Sequence, residues 1–244
     1  MQPRRLNMQY FCRSRWLRWG LAVWPWFATG CAEGPFSGAM ASMSPWVRKK
    51  WEEDEKFGPT YYRRIADLKA LRTAAPRLEP ARQEQLAAEM AQLVQTDPNA
   101  MIRSEAVAVL GTLKGPAAIA ALNAAVTDAD RDVRIAACRA WGRVHSTDAV
   151  SVLSQVAEAD ADLDVRLVAI GELGTFQDPT VVQALGKALD DSDPAVQFRA
   201  VQSLKSSTQR DLGDSVPAWR EFVQGKEPAS DQTPSMVQRL YEWF

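Results

Sequence analysis

Histidine occurs once in this 244-residue chain, as His145, and cysteine three times. One histidine excludes a histidine-built metal site, and any Ser/His/Asp or Cys/His catalytic set would have to recruit that single side chain. His145 falls just past a helical pattern and reads as a surface or capping residue. Cys12, Cys31 and Cys138 are too few and too scattered for a disulfide framework. Cys138 sits inside a helical pattern, where a small buried thiol packs as an apolar residue. No glycine loop of the phosphate-cradling or dinucleotide-binding kind is present. Acids are missing altogether from residues 1–31, which carry Arg4, Arg5, Arg13, Arg15 and Arg18. The remaining residues 32–244 hold 24 basic against 30 acidic side chains, within a formal net charge of −1. A mildly acidic body lacks the basic footprint that a phosphate backbone demands, which argues against nucleic-acid binding.

The arginine-rich start runs into Trp19-Gly20-Leu21-Ala22-Val23-Trp24-Pro25-Trp26-Phe27. A basic stretch followed by a short apolar one is the order of a secretory signal. About a dozen apolar residues are too few to span a bilayer as a helix, and Pro25 weakens that alternative further. The apolar stretch ends in Ala28-Thr29-Gly30-Cys31, which resembles the lipobox of bacterial lipoproteins. The resemblance implies acylation of Cys31 as the mature N-terminus and a lipid anchor facing the periplasm or exterior. Ordinary signal cleavage with release, or an uncleaved leader, stays open. Residues 32–44 are small and turn-prone and read as a tether.

Past the tether, four segments align without gaps. Their anchors are Arg103, Arg134, Arg166 and Gln197, spaced 31, 32 and 31 residues apart. Counting from each anchor, positions −1, +3, +4 and +7 are apolar or small: Ile102, Ala106, Val107, Leu110; Val133, Ala137, Cys138, Trp141; Val165, Ala169, Ile170, Leu173; Val196, Ala200, Val201, Leu204. Such spacing places them on one stripe of an α-helix. Asp97 and Asp193, each before a proline, read as capping acids. Glycine at +8 in three copies reads as loosening or ending the helix. Between these helices lie amphipathic segments near residues 117–126, 149–156 and 181–189, with a first at 81–94. The array is thus four helix pairs over 81–207. The motif Asp-x-x-Val-Arg-x-x-Ala-x-x-x-Leu-Gly, matched in the second and third copies, resembles bacterial HEAT repeats of the phycobilisome-lyase HEAT-like type. That resemblance implies an all-α, right-handed α-solenoid, since no pair buries its stripe alone. Gln197 for arginine and Lys205 for glycine suit a terminal copy.

The flanks read as caps. Residues 45–80 contain a helix start at Ser44-Pro45, a stop at Gly58-Pro59 and a helix near 61–71 that presents Tyr62, Ile65, Leu68 and Leu71. Residues 208–224 contain a helix whose Trp219 and Phe222 cover the last copy. Residues 225–244 are a linker and a terminal amphipathic helix, 236–244, which docks on the solenoid or binds a partner or a membrane surface.

No catalytic residue, cofactor or metal is indicated. The resemblance implies a structural ladder in which Arg103, Arg134 and Arg166 meet turn acids such as Asp130, Asp132, Asp162 and Asp164. The acids at 158–164 lack EF-hand spacing. Positions +2, +5, +6 and +9 of the second helices are expected to face outward on the inner curve. They include Glu105, Ala108, Val109, Arg139, Ala140, Arg143, Glu172, Arg199, Gln202 and Ser203. The candidate partner-binding surface is Glu105, Arg139, Arg143, Glu172, Arg199 and Gln202. The function expected is a non-enzymatic protein-binding scaffold or adaptor at the bacterial envelope, with an unknown protein partner and a lipid-anchored membrane attachment. A bilin-lyase-like protein or its regulator, and a purely structural spacer, are the alternatives.

Overall fold

The computed structural model describes residues 58–144 and 146–226, together with Lys49, Glu53 and Lys56. Cys31, the leader, the tether, His145 and the terminal segment 236–244 lie outside the described residues. Tyr61–Val223 folds into ten α-helices: α1 Tyr61–Ala74, α2 Pro80–Thr96, α3 Ala100–Leu110, α4 Pro116–Ala125, α5 Arg131–Val144, α6 Thr147–Ala159, α7 Leu163–Leu173, α8 Pro179–Ala188, α9 Pro194–Thr208 and α10 Val216–Val223. A 3₁₀ turn, Ala75–Arg77, follows α1. No strand occurs among the described residues; Leu212 and Asp214 form an isolated bridge.

The helices stack in two layers. α1, α3, α5, α7 and α9 pack one on the next, while α2 meets α4, α6 meets α8, and α8 meets α10. Each of α2, α4, α6 and α8 also packs on the helix that follows it, so four helix pairs form an α-solenoid. All sixteen stripe residues named above are buried, none more than 1% exposed, and they belong to one continuous core. A helix pair has only two faces to bury, so the core exists only because each pair leans on its neighbours.

Local chemistry sets the helix starts. Asn99 accepts from the Met101 and Ile102 N–H groups, Asp162 from Asp164 and Val165, Asp178 from Thr180, and Asp193 from Ala195. Each satisfies donors that the first turn leaves orphaned. Prolines at the first turn of α2, α4, α8, α9 and α10 remove a donor that would lack a partner there. The cap of α3 is Asn99, not Asp97, which has another task described below.

Two of the +8 glycines, Gly111 and Gly174, cap the ends of α3 and α7 as expected, and all three also let the next repeat approach closely. Gly111 and Gly174 have ordinary helical φ of −64° and −61°, and Gly142 lies inside α5. A Cβ at Gly111 would stand 2.6 Å from Ala140 Cβ and 2.9 Å from Ala140 Cα. At Gly174 it would stand 2.9 Å from both Cα and Cβ of Ser203. Position +8 of one repeat is thus pressed against position +6 of the next, and glycine lets the helices approach. The same packing corrects the outward-facing expectation: Val109, Ala140 and Ser203 are buried between repeats, as is Ala108. Ser203 Oγ donates to the Ile170 carbonyl at 2.8 Å across that seam.

The two ends are closed differently. At the start, Leu68 is buried, Ile65 and Leu71 pack against the core, and Tyr62 stays exposed. Gln83 on α2 is buried but satisfied, donating to the Leu78 carbonyl and accepting from Lys114 N–H at 2.9 and 3.1 Å. At the far end, Trp219 is fully buried against α8 and α9, and its Nε1 donates to the Gly213 carbonyl at 3.0 Å. Phe222 meets Trp219 edge-on, with ring centroids 5.5 Å apart.

Candidate partner-binding groove

Two arginine populations lie along α3, α5, α7 and α9; in the first, Arg103 and Arg134 are paired with carboxylates, and in the second no ion pair occurs among the described residues. Arg103 Nε and Nη2 donate to the two carboxylate oxygens of Asp128 at 3.0 and 2.8 Å. Arg134 makes the same fork to Asp160 at 2.8 and 3.1 Å. The third nitrogen of each reaches its own repeat's turn: Arg103 Nη1 donates to the Asp97 carbonyl at 3.0 Å and Arg134 Nη1 to that of Asp128 at 3.0 Å. Arg166 donates to the Asp160 carbonyl at 3.1 Å, and Gln197 to that of Asp191 at 2.7 Å. One guanidinium therefore ties its own turn to the next, a planar five-donor task that lysine could not perform.

The acids of this ladder are not those expected. Asp128 and Asp160 take the arginine forks. Asp130 and Asp162 cap α5 and α7 by accepting from Asp132 and Asp164 N–H, both at 2.9 Å. Asp132 and Asp164 are exposed, and both pair with Arg131, at 3.7 and 3.1 Å. The signal was present at position −6, which is aspartate in every copy: Asp97, Asp128, Asp160 and Asp191. Each accepts from the N–H two residues on, at 2.8–2.9 Å. Asp97 is also paired with Arg64 of α1.

Burial works against ionisation of Asp97, Asp128 and Asp160. The facing arginine and the N–H two residues on outweigh it and hold all three carboxyls below their usual value of 3.8. The hydrogen bonds it donates to Asp128 raise the pKa of Arg103, as those donated to Asp160 raise that of Arg134. The acids at 158–164 are all engaged, since Glu158 accepts from Lys187 at 2.8 Å. No cluster of three metal-ligating side chains occurs among the described residues.

The second population lines a groove along the exposed face of the same helices. It consists of two adjoining hollows of about 510 and 530 Å³ that share Ile135 and Arg139. The first runs across α1, α3 and α5 and takes in Arg72, Met101, Glu105, Ala136 and Arg143. The second runs across α5, α7 and α9 and takes in Leu167, Val168, Phe198 and Arg199. Arg139, Arg143 and Arg199 make no hydrogen bond or ion pair among the described residues. Every acid lining the groove is already paired: Glu105 with Arg72 at 3.4 Å and Lys69 at 3.9 Å, Asp132 and Asp164 with Arg131. Ser104 Oγ, lining the first hollow, has no hydrogen-bond partner among the described residues.

Four of the six candidate surface residues, Glu105, Arg139, Arg143 and Arg199, thus share one groove. The other two do not line it. Gln202 donates to Asp214 Oδ1 at 3.3 Å near the C-terminal cap. The Glu172 side chain reaches across to Gly142, at the contact of α5 with α7. Sequence reasoning missed the apolar row at position +1, Ile135, Leu167 and Phe198. Its signal was an apolar residue recurring just outside the core stripe. Phe198 is 57% exposed, so the row is uncovered at its α9 end; Met101, 58% exposed, adds an apolar group in the first hollow.

Cys138 is fully buried in α5, and burial pushes its thiol up to about 12. At neutral pH it stays protonated and out of reach, which removes it as a nucleophile.

Stacked helix pairs with a laddered edge and an open inner groove define a repeat scaffold, a class that binds other proteins along its length. The family model of HEAT repeats matches residues 87–170 and 150–222, together more than half of the chain. The chain belongs to the HEAT-repeat family, and its architecture is that of a protein–protein interaction scaffold. No curated protein matches it.

Proposed function

We propose that this protein is a non-enzymatic adaptor that holds a partner protein near a bacterial membrane, bound through its inner groove and anchored by lipid on Cys31. The observation that carries the binding half is the charge balance of the groove. Three arginines have no counter-ion among the described residues and stand beside an uncovered apolar row, while every lining acid is satisfied internally. Unpaired charge next to exposed apolar surface is what a partner completes, in contrast to Arg103 and Arg134, whose charges are met by carboxylates of the fold.

The anchoring half rests on the sequence: the arginine-rich start, the short apolar stretch and Ala28-Thr29-Gly30-Cys31. No helix among the described residues is long and apolar enough to cross a membrane, so attachment through these would need another device. The tether 32–44 would allow the repeats to sit a few nanometres off the surface.

Metabolic labelling with a palmitate analogue tests the anchor: label is expected on the wild type and lost in Cys31→Ser. Label persisting in that variant would exclude Cys31 as the site. Crosslinking in the native cell, followed by mass spectrometry, tests the adaptor. A defined protein should crosslink through residues on α3, α5, α7 and α9. A bilin-lyase reading is disfavoured by the buried, protonated Cys138; bilin addition to purified protein without adduct formation would close it.

A further inference from the structure

We infer that the groove's occupant is an acidic peptide segment of the partner, with apolar side chains set between its carboxylates. This rests on the adaptor reading and names the chemistry of its partner. The argument starts from which charges are free. Arg139 and Arg143 are one turn apart on α5, so their head groups can bracket one carboxylate pair at roughly 6 Å spacing. Arg199 lies on α9, two helices further along. At about 10 Å per packed helix that is roughly 20 Å. An extended peptide covers this distance in about six residues at ~3.3 Å each. Between the two basic positions the floor is mostly apolar, formed by Ile135, Leu167, Val168 and Phe198, and its one acid, Asp164, is paired with Arg131. The complementary segment therefore carries an acid cluster at each end of a short apolar stretch.

Other occupants fit less well. A nucleic acid would present a continuous line of charge, whereas the free basic groups stand on α5 and α9 with a mostly apolar floor between them. Acids also outnumber bases across residues 32–244, so no wider basic field supports a polyanion. A basic or neutral peptide would leave three guanidinium groups desolvated without counter-ions, a penalty charged partners avoid.

The test uses the purified chain and three fluorescein-labelled peptides of about twelve residues, enough to cross the groove extended. One repeats Glu-Leu-Glu-Phe, one repeats Lys-Leu-Lys-Phe, and one repeats Glu-Ser-Glu-Ser; a single-stranded oligonucleotide and anionic vesicles complete the set. The Glu-Leu-Glu-Phe peptide should bind at least about tenfold tighter than the other two, and more weakly as salt rises. Arg139→Glu with Arg199→Glu should weaken it by about tenfold or more, and Phe198→Ala by several-fold. All three positions are exposed or line the groove, and unchanged circular dichroism and melting would show that the variants fold. Equal binding of the basic peptide, or tighter arginine-dependent binding of the oligonucleotide or vesicles, overturns the inference. Loss of binding with Glu-Ser-Glu-Ser matched by no loss in Phe198→Ala would overturn the apolar part. If native crosslinking recovers the same partner with the double arginine variant as with wild type, the adaptor reading stands and the acidic-segment inference falls.

Discussion

Arg134 and Arg139 lie on one helix, little more than a turn apart, and meet opposite surroundings. Arg134 is 16% exposed, forked onto Asp160 and tied to the Asp128 carbonyl. Arg139 is exposed and makes no ion pair among the described residues. The first faces the edge where turns stack, and its charge is cancelled by the next repeat. The second faces the open groove, where no neighbouring turn reaches. What differs is position relative to the repeat seam, not residue type. Arginine at the seam contributes to stability; arginine on the groove face is left for something outside the fold.

The largest effect should come from breaking the seam pair. Arg134→Ala leaves the Asp160 carboxylate, 8% exposed, without its counter-ion. A loss of about 3 kcal/mol in urea unfolding is expected, since breaking one side of a mostly buried pair strands the other charge. A loss under about 0.5 kcal/mol, the level of an ordinary surface change, would show that the ladder contributes nothing. Replacing both partners by apolar residues of similar size should cost far less than either single change.

Next come the glycines at the inter-repeat contact. Gly174→Ala and Gly111→Ala each force a methyl against backbone of the next repeat and should cost about 2 kcal/mol. Gly142→Ala meets the flexible end of Glu172 instead and should cost clearly less. Thermal melts of the three variants under one buffer check the ranking. Equal Tm values would show that the close approach is not what selects glycine.

A smaller effect follows from acid. Asp97, Asp128 and Asp160 are held below 3.8 in the folded chain, so near that pH the unfolded state binds more protons than the folded one. Their stabilisation is complete above about pH 5 and is lost as pH falls through their folded values. Stability should therefore decline from pH 5 to pH 3. Asp128→Asn with Asp160→Asn should flatten that decline while lowering stability at pH 7. Smallest of all, Arg139→Ala and Arg199→Ala should leave unfolding within about 0.5 kcal/mol of wild type. A larger loss would mean that the groove arginines are structural too.

How much of this could be read from residues alone differs between the core and the site. The stripe residues were legible because burial on a helix imposes a period, and every member from Ile102 to Leu204 is buried. The seam was only half legible. That arginines would meet acids followed from their recurrence. Which acids could not be told, because Asp128 and Asp130 differ by two positions in a tight turn. Only the turn's backbone decides that one points at the previous repeat and the other at its own helix start. The +8 glycines were legible as helix ends at Gly111 and Gly174, but not as points of close approach, which involve a residue about thirty positions away. The groove was legible as a set of polar positions on α3, α5, α7 and α9. Val109, Ala140 and Ser203 were wrongly placed in it because single-helix geometry does not say how far the next helix overlaps.

Periodicity by itself determined that these residues form paired helices with one buried stripe each, because a repeated local pattern dictates a repeated local structure and a pair cannot bury its stripe alone. Only the stacked structure decided which arginines are neutralised and which stay free. Charge pairing depends on distances between repeats, and those are set by how closely glycine and alanine let the helices approach.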